Sequence, residues 1–319
     1  MAIISNCAAD AIKDAATALI NGDLVAFPTE TVYGLGANAA NQSAVKKIYQ
    51  VKDRPADHPL IVHISNLQYL DRWARQIPEY AIKLARNFWP GPLTLILPRT
   101  ELAKDFITGG QDNVGIRVPD QTLALALLVE FERQGGMGVA APSANRFGKV
   151  SPTTAAAVES ELAAYLGSND QILDGGPCEI GVESTIIDCT TATPIILRPG
   201  AITSEMIFTT TGIEPGQISK VDTKASGLLE SHYAPSAKVI LDQIPMPKDG
   251  FIALSDIKTP DGVIRLATPK NNTEYAKLLY QALRSADEQQ IKTVHAHLPI
   301  GDDIAAAIRD RLIKAASQP

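Results

Sequence analysis

Residues 27–40, FPTETVYGLGANAA, decide how the chain is interpreted. The preceding apolar run LVAF, residues 24–27, predicts a short buried strand that Pro28 ends. Two threonines, a glutamate, a tyrosine and two glycines then follow within a few residues. Such a stretch is either a ligand-binding loop or a glycine-rich turn that needs backbone freedom.

The spacing Gly34-x-Gly36-x-x-Ala39 also matches a loose dinucleotide-binding fingerprint, and Asp53 stands near the place of a ribose-binding acid. In that fingerprint the glycines come directly after the strand. Here PTETVY intervenes, so a nicotinamide or flavin site requires TVY to be a strand itself. We therefore do not favour a dinucleotide site.

Outward from this stretch, apolar residues alternate between helical and strand spacing, which predicts an α/β or mixed α+β fold. Proline stands at many strand edges, so the sheet is expected to be mixed and not purely parallel. Helices are predicted at 8–21, 42–52, 78–88, 123–133 and 153–163, and strands at 24–27, 59–64, 93–97, 114–118, 138–145, 184–188 and 194–200.

The pattern changes after residue 200. Residues 201–236 are rich in Ser, Thr, Gly and Lys with little periodicity, which is typical of a linker. Beyond Lys238 strands and helices return, ending with helices near 274–288 and the C-terminus. We predict three parts: a first domain 1–203, a linker and lid 204–236, and a small βαβ-type domain 237–319.

Composition excludes several classes of protein. The 319 residues are 45% hydrophobic and 20% charged, as in ordinary globular proteins. The net charge of −6 lacks the basic excess of a wide nucleic-acid-binding face. No apolar run approaches the ~20 residues that span a bilayer, and Asp10 and Asp14 interrupt any signal-peptide core. Cys7, Cys178 and Cys189 show no CxxC spacing, which favours free thiols in a reducing cytoplasm.

The segment KDRPADHPLIVHI, residues 52–64, carries a candidate phosphate site. Lys52 and Arg54 point the same way on an extended segment, and a fork plus a point charge suits a polyphosphate. The alternative is a solvated basic pair at a helix end. His58 and His63 have no metal-ligand spacing, so we expect no metal held by side chains.

Two later segments add polar side chains after strands. In APSANRFGKVSPT, residues 141–153, Ser143 and Asn145 can hydrogen-bond phosphate or sugar oxygens. In GVESTIIDC, residues 181–189, and ILRPGAIT, residues 196–203, Arg198 beside a rigid Pro-Gly turn is placed to bind an anion. The alternatives are turn hydroxyls and a surface arginine. No Walker A pattern is present, so a nucleotide would bind outside the P-loop class.

Together these segments resemble one family. FPTETVYGLGANA, K-x-R followed by PLIVHI, WPGPLTLIL, VGIRVPD, APSAN with SPT, and GVESTIID with ILRPG look like the YrdC-type threonylcarbamoyl-AMP synthases, in family order. HYAP, residues 232–235, and the last domain resemble the family's long two-domain form. The implied fold is a twisted mixed sheet around a concave cavity plus a small Rossmann-like α/β domain.

The resemblance implies a reaction in which L-threonine, bicarbonate or CO2, and ATP give threonylcarbamoyl-AMP and pyrophosphate. Mg2+ would arrive bound mainly through ATP. A separate transfer complex would then move the threonylcarbamoyl group onto tRNA. Direct RNA binding by this chain is expected to be weak or absent, and no membrane is involved.

The resemblance also implies roles for individual residues. Those implied at the threonine site are Thr31, His63, Arg117 and Ser184. Those implied at the ATP site are Lys52, Arg54, His58, Asn113, Ser143, Asn145, Ser151, Arg198 and Tyr233, with Lys52 and Arg54 catalytic. Many relatives have Asn in place of His58, which predicts a pH effect on ATP affinity. The stretch before HYAP also varies, which bears on lid closure.

The residues support this chemistry physically. A threonine N-carboxylate must attack the α-phosphate of ATP, so two anions meet and cations are required. The segments contain no obligatory side-chain nucleophile, so positioning and charge neutralisation would carry the reaction. Two alternatives stay open: a cavity that binds nucleotide or RNA without turnover, and a hydrolase or transferase acting on a carbamoyl or acyl adenylate.

Overall fold

A computed structural model describes residues 3–6, 9–217, 227 and 233–317, with backbone alone for 3–6 and 217. Strands and helices form two sheets, one of eleven strands and one of four. The prediction of a mixed α/β fold is confirmed. In the described part of the chain, no helix is long and apolar enough to cross a membrane.

The large sheet contains both parallel and antiparallel neighbours, in the order β1-β8-β2-β3-β7-β4-β6-β5-β9-β10-β11. Its strands are β1 (Ile3–Asn6), β2 (Val25–Phe27), β3 (Gly34–Asn38), β4 (Ile61–His63), β5 (Leu93–Pro98), β6 (Asn113–Arg117), β7 (Val139–Ala140), β8 (Gln171–Asp174), β9 (Thr185–Asp188), β10 (Ile195–Arg198) and β11 (Gly216–Gln217).

Helices cover this sheet and bury an apolar core against it. They are α1 (Ala9–Asn21), α2 (Gln42–Lys52), α3 (Leu70–Trp73), α4 (Glu79–Phe88), α5 (Asp105–Thr108), α6 (Thr122–Arg133), α7 (Ala155–Leu162) and α8 (Ser204–Thr211), with a 3-10 turn at Leu67–Tyr69. The five helices predicted in this part are therefore confirmed, with small differences at their ends.

The ends of α2 position the first basic residues of the site. The Asn41 side chain caps the N-terminus by accepting from the Ala44 N–H at 3.1 Å. Asp53 ends the helix in the left-handed region with φ 55°. Lys52 is therefore the last helical residue, and Arg54 begins a loop that leads into β4.

The glycines of residues 34–38 lie in a strand. β3 pairs antiparallel with β2 and with β7 and is almost wholly buried. A Cβ at Gly36 would lie 2.7 Å from Val139 Cγ1 and 2.8 Å from Phe27 Cε1, so glycine permits this close packing. The glycine-rich turn is therefore a wrong prediction, and the glycines also cannot form a dinucleotide-binding loop.

The segment predicted as a linker begins with regular structure. Thr203 caps α8 by accepting from the Met206 N–H at 3.3 Å, and Gly212 ends it with φ 73°. Helix α8 packs against α4, and β11 extends the large sheet beside β10. Helix α8 and strand β11 therefore pack with the first sheet and its helices. Most of the remaining linker and lid prediction lies outside the described residues.

The second sheet is parallel throughout, in the order β12-β15-β13-β14. Its elements are β12 (Lys238–Leu241), β13 (Gly250–Ile252), β14 (Ile264–Ala267), α9 (Asn272–Glu288), β15 (Thr293–Ala296) and α10 (Ala305–Ala316). The predicted α/β pattern holds, and β14 is an additional strand. The core of this sheet continues into the first unit through Val32, Val150 and Val182, so the two units share apolar packing.

Candidate active site

A cavity lies where polar side chains of the large sheet converge. It contains eight of the predicted site residues among its lining. These are Thr31, Arg54, His63, Arg117, Ser143, Ser184, Arg198 and Tyr233. Gly227 and Tyr233, which lie in the segment between the two sheets, both line it.

One wall is built by two paired strands. β4 and β6 run parallel with His63 opposite Arg117, which sets these side chains next to each other at the strand ends. Arg117 forms a buried ion pair with Glu30 at 2.6 Å. The Thr29 and Thr31 hydroxyls lie 2.8 Å apart in the same wall. Together they offer a cation, a ring nitrogen and hydroxyls, which suits a small ligand carrying a carboxylate and a hydroxyl.

The His63 ring is neutral in this environment. Burial, with the Arg117 charge adding to it, lowers the pKa of His63 to about 3. The ring meets Phe27 edge-on at 5.9 Å between centroids. A neutral imidazole can donate one hydrogen bond and accept another, but it is a poor general base here.

Arg54 lines a second wall of the cavity, and Lys52 lies against the loop after β7. Lys52 is 1% exposed, and its ammonium donates to the Ser143 carbonyl at 2.6 Å and to the Asn145 carbonyl. Burial and then the nearby Arg54 charge hold the Lys52 pKa well below its usual value. Burial also lowers the Arg54 pKa to about 10. A polyanion would relieve this unfavourable burial of positive charge.

Arg198 supplies a third cation from the end of β10. Its guanidinium donates to the Ser184 carbonyl and to the Ser184 hydroxyl, both at 3.1 Å. The Ser184 hydroxyl also lies 2.8 Å from Thr94 Oγ1 on β5. Burial lowers the Arg198 pKa. The Ser184 hydroxyl therefore connects Arg198 to Thr94 on β5.

Glu183 is a buried carboxylate in the cavity lining, next to Ser184 in sequence. The Ser151 hydroxyl donates to Glu183 Oε1 at 2.6 Å. Two residues of the second unit, Tyr280 and Arg311, donate to Oε2 at 2.8 and 2.9 Å. Residues of the second unit therefore hold a side chain that lines the cavity.

The other predicted site residues lie outside the cavity lining. Lys52 and Ser151 each contact a lining residue, whereas the Asn145 amide donates to the carbonyls of Arg146 and Lys149. His58 packs edge-on against Phe147, over which the Arg54 guanidinium lies at 5.7 Å.

Asn113 stands at the opposite end of β6 from Arg117. At about 3.3 Å per residue, the length of the strand separates it from the Arg117 wall. The structure therefore does not bring Asn113 to the cavity.

Sequence reasoning missed Thr29, Glu30, Thr94 and Glu183. Glu30 lies between the two threonines of the opening stretch, and Glu183 precedes Ser184, so proximity in sequence was an available signal for both. Thr94 sits within the strand run LTLIL, which looks like apolar core. Only its pairing with Ser184 across the sheet marks it as part of the site.

The donor set suits anions. Arginines and hydroxyls dominate the lining, and Glu183 is already bound by three donors. Across the part of the chain that the structure describes, no group of three or more His, Cys, Asp or Glu side chains could hold a metal ion.

Comparison with known proteins identifies the family of this chain. A family model described as "Telomere recombination", covering Sua5, YciO and YrdC proteins, matches residues 17–200. The chain belongs to the Sua5/YciO/YrdC family. A second model, "Threonylcarbamoyl-AMP synthase, C-terminal domain", matches residues 202–317 and so includes most of the segment predicted as a linker.

Several relatives match this chain over nearly its whole length. The threonylcarbamoyl-AMP synthase of Pyrococcus abyssi is 43% identical, over 95% of this chain and 93% of its own. That of Bacillus subtilis is 41% identical, over 96% and 92%. The crystal structure of P. abyssi Sua5 complexed with L-threonine has a TM-score of 0.88 and 40% identity, covering 99% of this chain and 97% of that one. The resemblance predicted from the motifs is therefore confirmed.

Proposed function

We propose that this chain is a threonylcarbamoyl-AMP synthase that condenses L-threonine, bicarbonate or CO2, and ATP. The observation that carries the proposal is that one cavity joins a wall of hydroxyls and Arg117 to the buried Arg54 and Arg198, with buried Lys52 held on the lining residue Ser143. Relatives of that name over nearly the whole length of both chains support it. So does the similarity to a relative complexed with L-threonine.

In this proposal the wall of Thr31, His63, Arg117 and Ser184 binds threonine. Arg117 takes the carboxylate, because it is the cation of that wall, and Glu30 fixes its orientation through their 2.6 Å ion pair. The hydroxyls receive the substrate hydroxyl. A site built to hydrogen-bond that group penalises analogues that lack it.

Lys52, Arg54 and Arg198 bind the phosphates of ATP, with Ser143 on the cavity floor beside them. Ser151 acts through Glu183, and His58 supports Arg54 through Phe147. Asn145 supplies a backbone carbonyl to Lys52. Tyr233 also lines the cavity. The proposal leaves Asn113 out, because it lies at the far end of β6.

The chemistry has two steps. The threonine nitrogen attacks the carbon of CO2 and loses a proton, giving an N-carboxylate. An oxygen of that carboxylate then attacks the α-phosphorus, and the bond from that phosphorus to the bridging oxygen breaks, releasing pyrophosphate. The three cations lower the repulsion between the two anions and stabilise the charge on the departing pyrophosphate.

Magnesium enters in this proposal as part of the substrate, bound to the ATP phosphates. The product passes to a separate complex that acts on tRNA, and the acidic chain itself has weak or no affinity for RNA. We infer a cytoplasmic reaction, since Cys178 and Cys189 are buried free thiols. Cys7, the third predicted thiol, lies outside the described residues.

The deciding experiment measures pyrophosphate release from MgATP, with L-threonine and bicarbonate each added and omitted. L-serine is the matched control, since it keeps the hydroxyl and lacks the methyl group. We expect release that requires both threonine and bicarbonate. Release without threonine would indicate an ATP hydrolase. ATP binding without release under any condition would indicate a binding module, and either result would overturn the proposal.

A further inference from the structure

The loop after β7, residues 143–150 (the β7 loop), and the end of α2 hold each other in place. The Lys52 ammonium donates to the carbonyls of Ser143 and Asn145. In return, the Phe147 N–H donates to the Lys52 carbonyl at 2.8 Å. Because Ser143 also lines the cavity, the position of the β7 loop sets where the Lys52 charge lies relative to the cavity.

The Glu161 carboxylate, on α7, joins the β7 loop to the second unit. Its Oε1 accepts from the Arg146 N–H at 3.2 Å. Its Oε2 lies 3.1 Å from Nη1 of Arg284 on α9, and the side chains of Glu161 and Arg284 are 17% and 16% exposed. Arg284 also donates to the Val150 carbonyl through Nη2. The two side chains therefore hold the β7 loop at two places.

Glu161 also acts on the Lys52 charge. Burial and the charges of Arg54 and Arg146 lower the pKa of Lys52. The charge of Glu161 raises it and so opposes these effects. Glu161 does not line the cavity, so its carboxylate supports the Lys52 cation without direct contact with a bound anion.

We propose that Glu161 is a positioning residue for ATP: held by Arg284 of the second unit, it fixes the β7 loop that holds the Lys52 ammonium beside the cavity. This role rests on the proposed function for the identity of the nucleotide. The hold acts through the Arg146 N–H, one residue beyond the Asn145 carbonyl that accepts from Lys52. Without the carboxylate, the loop loses an anchor and Lys52 loses its proton at a lower pH.

The test measures MgATP binding to the full chain by calorimetry, together with pyrophosphate release. Glu161→Gln keeps the size of the side chain and removes its charge. We expect it to raise the Kd for MgATP about tenfold, the effect of weakening a hydrogen bond to a charged group. The KM for L-threonine should change by less than about twofold, because the β7 loop is held on the phosphate side of the cavity.

The pH dependence of binding separates this role from a merely structural one. Lys52 binds phosphate as a cation, so binding weakens as the pH rises through the pKa of Lys52. In Glu161→Gln that weakening should begin at a lower pH than in the wild type. Titration between about pH 6 and 9 leaves Arg54 charged, since its pKa is about 10. A variant that only loosened the fold would weaken binding equally at every pH.

Two further variants complete the set. Arg284→Met keeps the Glu161 charge and removes the hold of the second unit, so it should raise the Kd by less, with the weakening at no lower a pH than in the wild type. Glu159→Gln is the matched control, because it removes the same charge from α7 two residues away, about 200° around the helix. It should leave MgATP binding unchanged. Thermal denaturation verifies that each variant is folded.

The outcomes distinguish this role from the proposed function. If the wild-type chain binds MgATP without releasing pyrophosphate, the proposed function fails, but weaker binding by Glu161→Gln with its earlier pH onset still supports positioning. If folded Glu161→Gln binds MgATP as tightly as the wild type, or more weakly with the same pH onset, the positioning role is overturned. If Glu161→Gln does not fold, Arg284→Met decides, and binding equal to that of the wild type overturns the role.

Discussion

The two sheets differ in how they use buried basic side chains. In the first unit, Arg54, His63, Arg117 and Arg198 are buried and line one cavity, and buried Lys52 contacts the lining residue Ser143. Among the described residues of the second unit, the buried basic side chains are His295 and Arg311. His295 lies 3.1 Å from Asp249 within its own unit, and Arg311 reaches Glu183 in the first.

This difference shows which unit is built for a ligand. Burial of several positive charges close together is unfavourable, and an arriving polyanion reverses that cost. The first unit gathers such charges at its cavity, whereas the second packs an apolar core and has, among its described residues, one buried arginine, which pairs with Glu183. Variants in the first unit should therefore change activity most, and variants in the second should mainly change stability.

Lys52→Ala should have the largest effect. The loss of a buried cation from the phosphate wall is expected to lower kcat/KM for ATP by roughly 100- to 1000-fold, the range found when one preorganised electrostatic group is removed. Pyrophosphate release measures it, and circular dichroism verifies the fold. Lys47→Ala is the control, because Lys47 pairs with Asp23 on the surface. A fully active, folded Lys52→Ala chain would break the contrast between the two units.

Tyr280→Phe probes the second unit. It removes the hydroxyl that donates to Glu183 Oε2 at 2.8 Å, while Arg311 still holds the same oxygen. We expect the free energy of unfolding to fall by about 2 kcal/mol, typical of a hydrogen bond to a charged group, with kcat nearly unchanged. Urea denaturation and pyrophosphate release measure the two quantities. A large loss of kcat at normal stability would place Tyr280 in the chemistry instead.

Ser184→Ala tests the hydroxyl that contacts both Thr94 and Arg198. It loses the 2.8 Å contact with Thr94 and one contact with Arg198. We expect the KM for L-threonine to rise about tenfold, the effect of one neutral hydrogen bond of about 1.4 kcal/mol. Thr94→Val is the companion variant, expected to give a smaller rise because it acts only through Ser184. Equal KM values in wild type and Ser184→Ala would remove Ser184 from the threonine wall.

The pH dependence of stability tests the buried, neutral state of His63. The unfolded His63 ring takes up a proton near pH 6.5, whereas the folded ring does so only near pH 3. The unfolded state therefore binds more protons between these values, and the free energy of unfolding falls on acidification, by up to about 1.4 kcal/mol per pH unit. Urea denaturation between pH 7 and 5 should show this slope reduced in His63→Asn. An unchanged slope would show that other groups cause it.

Much of the fold follows from local patterns. Helices α2 and α4 have clear helical periodicity and ends marked by Asn41 and Pro78, so their bounds were close to the predicted ones. Strand β3 was not predicted, because four of its five residues are buried and two are glycine. Its sequence therefore shows no alternation of apolar and polar residues. Helix α8 was not predicted, because its threonines are typical of the composition of a linker.

Site residues could be predicted where side chains able to bind anions lie close together in the sequence. Thr31, Arg54 and Ser143 lie in conspicuous segments, and the fold brings them to one cavity. The contact between Glu183 and Arg311 could not be foreseen, since 128 residues separate them and Arg311 looks like an ordinary surface charge in sequence. Only the packing of α10 against the first unit makes them partners.

The position of β8 has a consequence for synthesis of the chain. β8, residues 171–174, lies between β1 and β2, which are made much earlier. At about 5–20 residues per second, β2 waits on the order of ten seconds on the ribosome before its parallel neighbour exists. During that interval one edge of β2 can template pairing with other chains. Translation speed over the intervening residues therefore sets how long the nascent protein is exposed to aggregation, and slower decoding there would increase its demand for chaperones.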